Sequence, residues 1–274
     1  SEAFASSPSV GSSSPEKRST GFSMSGSTTR LRYSTTRYWC QIRAPPELAG
    51  GKVRNMADSP NTWAVVVAGG HGARFGQPKQ FAALAGRRVI DWSIAALRPH
   101  VGGVVVVLPA DALVAEDDAS GFCLDADRVV AGGSTRSASV RAGLEATPPE
   151  VNHVLIHDAA RPLTTSAVVR RVLAALPDAD AVVPVVPVTD TLRRRGGASV
   201  DRSEFVAVQT PQGFRRASIL AAHRSGAEAT DDATLIDGTG GIVAQVDGDP
   251  TNVKITVPAD LHLAEILLAD GADR

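Results

Sequence analysis

Residues 68–80 read Ala68-Gly69-Gly70-His71-Gly72-Ala73-Arg74-Phe75-Gly76-Gln77-Pro78-Lys79-Gln80 and follow the apolar run Ala64-Val65-Val66-Val67. That run has the composition of a buried strand. A strand ending in glycines lets the backbone pass close to a ligand, because no Cβ stands in the way. Its free amides can then donate to phosphate oxygens. Arg74 and Lys79 add two cations just beyond the turn. Together these groups suit a polyphosphate, and a nucleoside triphosphate above all. The competing reading is an ordinary glycine turn between a strand and a helix.

Asp158 is a second position with chemical potential, at the end of the apolar segment 154–157. A carboxylate there can reach a ribose, or a Mg²⁺ ion bridging phosphates, because Mg²⁺ is commonly held by one or two carboxylates plus phosphate oxygens. Arg161, three residues on, can pair with Asp158 or bind a phosphate. Lys254 sits in the apolar stretch 253–257, where a lysine is costly to bury unless it is paired or faces a ligand. Asp231 and Asp232 read equally as turn or capping residues and as site residues. His157-Asp158 alone would suit a metal-dependent phosphohydrolase, but His153, His223 and His262 add no supporting ligand pattern.

Better-known loops do not fit. The P-loop pattern fails because Lys79 follows Pro78 and precedes Gln80. The dinucleotide fingerprint G-x-G-x-x-G is interrupted by Phe75 at its third glycine. No H-R-D or D-F-G triplet accompanies the loop, which argues against a protein kinase.

Taken in order, the motifs resemble a known family. Ala-Gly-Gly-x-Gly-x-Arg with Pro-Lys-Gln is similar to the signature of sugar-phosphate nucleotidyltransferases. Within these, the sequence is nearest to cytidylyltransferases acting on methylerythritol 4-phosphate or ribitol 5-phosphate. The further matches are Gly132-Gly133-Ser134-Thr135-Arg136-Ser137-Ala138-Ser139-Val140, His157-Asp158-Ala159-Ala160-Arg161-Pro162, Asp190-Thr191, Val208-Gln209-Thr210-Pro211-Gln212, Thr230-Asp231-Asp232-Ala233 and Asn252-Val253-Lys254-Ile255-Thr256. The resemblance runs from about Thr62 to the C-terminus.

It implies attack of a polyol phosphate oxygen on the α-phosphorus of CTP, with release of pyrophosphate. Both reactants are anionic, so catalysis consists of alignment and charge neutralisation rather than a covalent nucleophile. By resemblance, Arg74, Lys79, Arg202 and Lys254 carry catalysis. Ala68, Gly69, Gly70, Gly72, Gly133, Ser134, Ser139 and Asp158 bind the nucleotide, and the 133–139 segment reads the cytosine. Arg161, Thr191 and Thr210 bind the acceptor, and Asp158 holds Mg²⁺. Ala73 replaces a second basic residue of some relatives. Methylerythritol 4-phosphate is the preferred acceptor and ribitol 5-phosphate the close alternative. More distant alternatives are a nucleotide-binding regulator and a dinucleotide-dependent oxidoreductase, though Leu108-Pro109-Ala110-Asp111 fits the latter poorly.

Several elements must position these residues. Strands are expected at 64–68, 104–108, 129–131, 154–157, 181–184, 206–209, 242–246 and 253–257. Helices are expected at 166–176 and 259–268. In the first helix, Val168, Val169, Val172, Leu173 and Leu176 share one face. The second follows Pro258, with Asp260 in its first turn. Continuous Val/Ile/Leu strands alternating with helices imply a three-layer α/β/α, Rossmann-like domain over 62–274 with a mostly parallel central sheet. Ligands of such sheets sit beyond the carboxyl ends of the strands. Residues 188–209 break the alternation. Gly196-Gly197 between extended segments reads as a hairpin, a projecting β-arm that by resemblance forms a homodimer.

The chain of 274 residues carries a formal net charge of −1, which argues against a general nucleic-acid or membrane-surface binder. No apolar run approaches the roughly 18–20 residues of a membrane span. Cys40 and Cys123 form no metal or disulfide framework, which fits a reducing compartment. Residues 1–61 are rich in Ser, Thr, Gly and Arg, and the acids there are Glu2, Glu16, Glu47 and Asp58. Such a segment is expected to be a disordered extension. It reads as translated upstream sequence before a start at Met56, giving a cytoplasmic protein, or as a transit peptide, giving a plastid one.

Overall fold

The computed structural model describes residues 61–271, apart from His71, Ala73, residues 116–123, 225, 227, 228 and 230. The extension expected at 1–61 lies outside the described residues except for Asn61, as do Cys40, Cys123 and Thr230.

In β1 (Thr62–Val67) successive side chains point to opposite sheet faces, and both faces are apolar. Ala64 and Val66 join one core, and Val65 joins the other. The chain then runs through a short hairpin of β2 (Ala83–Leu84) and β3 (Arg87–Arg88) into α1 (Val89–Leu97) and β4 (Gly103–Leu108). It continues with α2 (Ala110–Ala115), β5 (Arg128–Ala131), α3 (Arg136–Glu145), β6 (His153–Asp158), α4 (Ser166–Ala175) and β7 (Ala181–Pro187). The last elements are β8 (Val206–Val208), β9 (Gln212–Arg215), α5 (Arg216–Arg224), α6 (Asp232–Asp237), β10 (Val243–Asp247) and α7 (Pro258–Asp270).

The eight-stranded sheet has the order β10-β7-β9-β6-β1-β4-β5, with β8 paired to β7. The pairs β6–β1, β1–β4, β4–β5 and β10–β7 are parallel. β9 runs antiparallel between β6 and β7. One face is covered by α1 and α4, whose Ile90, Ile94, Val169 and Val172 meet Val66, Val104 and Leu155. The other is covered by α3, α5 and α6, whose Leu144, Ile219 and Ile236 meet Val65, Val105 and Ile156. The expected three-layer α/β architecture with a mostly parallel sheet is therefore present.

A third cluster joins Phe75, Leu84, Val89, Leu163, Ile255 and Ala264. Phe75 stands where a dinucleotide fingerprint would have its third glycine. Its burial fastens the glycine loop to the segment carrying Lys254.

One local expectation is corrected, and two local features add to those expected. Residues 253–257 form no strand. Ile255 N bonds to Ala160 O at 2.8 Å, while the amides of Thr256 and Val257 donate to Asp260 Oδ2 at 2.7 and 2.9 Å. Asp260, in the first turn of α7, thus takes both amides in a capping arrangement and keeps them from a ladder. β9 has no apolar run to announce it, since it reads Gln-Gly-Phe-Arg. Gly213 is needed there because a Cβ would meet Val172 Cγ1 at 2.7 Å. Finally, α3 is capped by Thr135, whose side chain accepts from Ala138 N at 3.1 Å.

The hairpin within 188–209 is present. Arg193 pairs with Ser199, Val200 N bonds to Leu192 O at 3.0 Å, and Gly197 N bonds to Arg194 O at 2.9 Å. β7 and β8 form its base in antiparallel register.

Candidate active site

The carboxyl ends of β1, β4, β5 and β6 lie side by side, with Val67 opposite both Val107 and Asp158. Beyond them opens a cleft of about 340 Å³. It is lined by Ala68, Gly69 and Gly70, by Gly133, Ser134 and Ser139, and by Lys79, Arg136, Asp158 and Lys254. Its volume falls in the range of small-molecule sites.

The glycine loop is held from behind. Gln80 is buried and donates to Ala68 O at 2.9 Å and to Gly70 O at 3.2 Å. Gly72 does not line the cleft but shapes the loop. Its φ is +68°, and a Cβ there would meet Gln77 O at 2.0 Å, so a side chain would force the turn apart. Lys79 opens a single 3₁₀ turn, and its Nζ donates to Ile255 O at 2.5 Å. Burial lowers the Lys79 pKa, Lys254 and Arg74 lower it further, and Asp158 partly offsets them.

Asp158 is flanked by cations. Its Oδ2 accepts from Lys254 Nζ at 2.6 Å, and its Oδ1 lies 3.7 Å from Arg136 Nη2. Burial alone would raise its pKa, but Lys254, Arg136 and Arg161 outweigh that and hold it down to about 2. Arg136 Nη1 is bound at 2.7 Å to Asp232, which is buried and also 3.2 Å from His223 Nε2. Asp231 stands at the N-cap of α6 without capping it, and Gln212 Nε2 donates to its carboxylate. Burial raises the Asp231 pKa.

Lys254 is paired, as a lysine in an apolar stretch must be, and its 43% exposed side chain meets Asp158 at the cleft. Arg161 does not pair with Asp158 through a hydrogen bond. Its Nη groups donate to Asn252 O at 2.8 Å and Val208 O at 3.4 Å, and its buried Nε has no partner among the described residues. Arg74 is exposed near Lys79 and does not line the cleft. Thr191 and Arg202 are exposed on the arm, where Arg202 donates to Thr189 O. Thr210 is only 5% exposed and lies behind Asp158.

Arg136 and Gln80 lie within the sequence motifs, but the motifs assign them no role. A signal exists for Gln80, which follows Lys79 in Pro-Lys-Gln. None exists for Arg136, because its partners Asp158 and Asp232 are remote in sequence. Among the described residues, no group of three or more His, Cys, Asp or Glu side chains could hold a metal. Asp158 is the carboxylate in the cleft lining, and a lone carboxylate fits a cation carried mainly by phosphate oxygens.

A glycine loop at the end of the first parallel strand and a cation-rich cleft define an α/β nucleotidyltransferase-type domain. The family model described as "IspD: 2-C-methyl-D-erythritol 4-phosphate cytidylyltransferase" matches residues 62–270. A 2-C-methyl-D-erythritol 4-phosphate cytidylyltransferase of Deinococcus radiodurans is 46% identical over 221 residues, covering 76% of this chain and 90% of that protein. A bifunctional enzyme IspD/IspF of Rhodospirillum rubrum is 44% identical over 224 residues, covering 77% of this chain. The chain spans only 58% of that bifunctional relative's length. The crystal structure of the Thermus thermophilus 2-C-methyl-D-erythritol 4-phosphate cytidylyltransferase is similar at a TM-score of 0.64 and 41% identity, covering 75% of this chain and 98% of that one. The chain belongs to the 2-C-methyl-D-erythritol 4-phosphate cytidylyltransferase family. No described helix is long and apolar enough to cross a membrane.

Proposed function

We propose that this protein transfers CMP from CTP to 2-C-methyl-D-erythritol 4-phosphate, releasing pyrophosphate and forming the CDP-linked polyol. The observation that carries the reading is the meeting of Lys79, Lys254 and Asp158 with the 68–70 and 133–134 loops in one cleft. Family membership favours this acceptor over ribitol 5-phosphate and sets aside the oxidoreductase and regulator alternatives.

The triphosphate lies along the backbone of Ala68, Gly69 and Gly70, whose turn Gly72 maintains. Gly133, Ser134 and Ser139 read the cytosine, since short fixed groups lose little rotamer freedom on binding. Lys79 and Arg74 balance the charge of the β- and γ-phosphates as pyrophosphate departs. Lys79 and Arg74 also meet charge at the α-phosphate, and Lys254 faces the acceptor. Arg136, held by Asp232, adds a fixed cation beside Asp158. Mg²⁺, held by Asp158 and the nucleotide's own phosphates, would supply further charge neutralisation. The acceptor phosphate is already an oxyanion, so the residues need to align it rather than deprotonate it. Arg161, in the turn that follows Asp158, is proposed for that task on the family resemblance of the 157–162 motif. A cytoplasmic location fits the bacterial relatives.

Pyrophosphate release is expected with CTP and methylerythritol phosphate, and excess chelator should abolish it. Equal turnover with ATP, or activity unchanged by the chelator, would overturn the assignment.

The arm is proposed to complete a homodimer. Phe205, Val206 and Val208 at its base are 43%, 42% and 40% exposed, and a second copy could cover them. A two-fold axis would bring Arg202 and Thr191 of each arm to the partner's acceptor pocket. Arg202→Ala and Lys79→Ala are each expected to lose most of the activity. Mixed and refolded together, they should regain part of the activity, because each heterodimer would hold one intact site. Confirmed heterodimers without recovery would show that Arg202 does not act in trans.

A further inference from the structure

The turn that carries both Asp158 and Arg161 is organised by a buried ring that the chemistry above does not use. His157 is fully buried at the end of β6. Its Nε2 lies 3.1 Å from Arg161 O, and its Nδ1 lies 3.0 Å from Thr210 Oγ1. A carbonyl only accepts, so Nε2 must carry the proton. In the neutral ring Nδ1 is then an acceptor, and the Thr210 hydroxyl must donate to it. Thr210 Oγ1 in turn accepts from the Asp158 amide at 3.1 Å.

The bonds therefore run in one direction. Asp158 N–H donates to Thr210, Thr210 O–H to His157, and His157 N–H to the Arg161 carbonyl. The Arg161 amide closes the turn by donating to Asp158 O at 3.0 Å. The ring is fully buried against a carbonyl and a hydroxyl, surroundings that favour its neutral form. Behind it, Thr210 O accepts from Asn252 Nδ2 at 2.9 Å, and Asn252 O accepts from Arg161 Nη1 at 2.8 Å.

We propose that His157 and Thr210 are positioning residues, a buried one-way hydrogen-bond relay that fixes the turn from Asp158 to Arg161, whose Asp158 lines the cleft. The proposal rests on the cytidylyltransferase reading for what Asp158 and Arg161 do, but not for the relay itself. Thr210 then acts through its neighbours. Its hydroxyl proton is already donated to His157 and is not available to an acceptor.

Two readouts test this. The first is the ¹⁵N spectrum of the His157 ring in the unliganded protein at pH 7. It should show a neutral ring with Nε2 protonated. Thr210→Val should shift the Nδ1 resonance, and Thr210→Ser should not. A ring protonated at Nδ1, or a doubly protonated ring, would overturn the relay.

The second readout is kinetic. Thr210→Val and His157→Gln should each lower kcat by about 10–100-fold, the usual effect of removing a group that orients a ligating carboxylate. The acceptor KM should change much less. The double variant should be no worse than either single one, because both break the same chain. Thr210→Ser should recover most of the turnover. Additive losses, or a rise confined to the acceptor KM in Thr210→Val, would overturn the proposal and make Thr210 a direct contact. Absence of wild-type turnover would count against the functional reading alone, because the ring spectrum tests the relay without substrate.

Discussion

Lys79→Ala is expected to lower turnover by about 10²–10³-fold, the usual cost of losing one group that stabilises charge developing in the transition state. Burial lowers the Lys79 pKa, and the nearby charges of Lys254 and Arg74 add to the effect. An incoming polyphosphate relieves that repulsion, so the cations are arranged in advance for an anion. The fold should survive. The side chain makes one hydrogen bond to Ile255 O, a loss of about 1 kcal/mol, and its removal also relieves the repulsion with Lys254. Pyrophosphate release under saturating CTP, measured beside a thermal melt, checks both halves. Near-wild-type turnover would place the stabilising cation elsewhere.

Asp158→Asn is expected to cost at least about 10²-fold in turnover, because it removes the anion around which the cleft's charges are arranged. It also leaves Lys254 and Arg136 facing a neutral amide. Burial favours the neutral carboxyl, but Lys254 and Arg136 outweigh it and hold the pKa at about 2, below its ordinary value of 3.8. A depressed carboxyl pKa stabilises the folded state above the ordinary value, and that contribution disappears as pH falls through about 2. Its size is about 2 kcal/mol. The stability difference between wild type and Asp158→Asn should therefore shrink by roughly that amount between pH 5 and pH 2. Urea midpoints measured across that range decide the matter. A difference independent of pH would mean that Asp158 is not held below its ordinary pKa.

The two substitutions concern residues whose places were legible for different reasons. Lys79 follows a glycine loop at the end of an apolar strand, and its short distance from that loop is local information. Asp158 closes an apolar run, so its position beyond a strand end was readable too. The alternation of apolar strands and amphipathic helices announced the layers, since Val168, Val169 and Val172 share a buried face as their spacing required. Thr62, the expected start of the folded body, opens β1.

Other features were not legible. β9 contributes one large apolar side chain, Phe214, and it is a strand because β6 and β7 leave a slot that Gly213 fits. The 253–257 stretch looked like a strand, but its amides were drawn away by Asp260. Lys254 had to be paired or face a ligand, but that its partner is Asp158, 96 positions away, was not readable.

The sequence by itself determined the α/β layering, the glycine loop with Lys79 behind it, the hairpin at Gly196-Gly197 and the presence of a carboxylate at a strand end. Each depends on backbone preferences and side-chain periodicity within a dozen or so residues, which short-range sterics and burial impose. Only the tertiary structure decided which cations flank Asp158, that Asp232 anchors Arg136, and that His157 and Thr210 stand behind the site. Those partners come from different strands and helices, and they meet only because the sheet order brings β6, β9 and the ends of α3 and α6 together. Local sequence has no term for that proximity. Hydrogen bonds and ion pairs act over a few ångströms of space, whatever the separation along the chain.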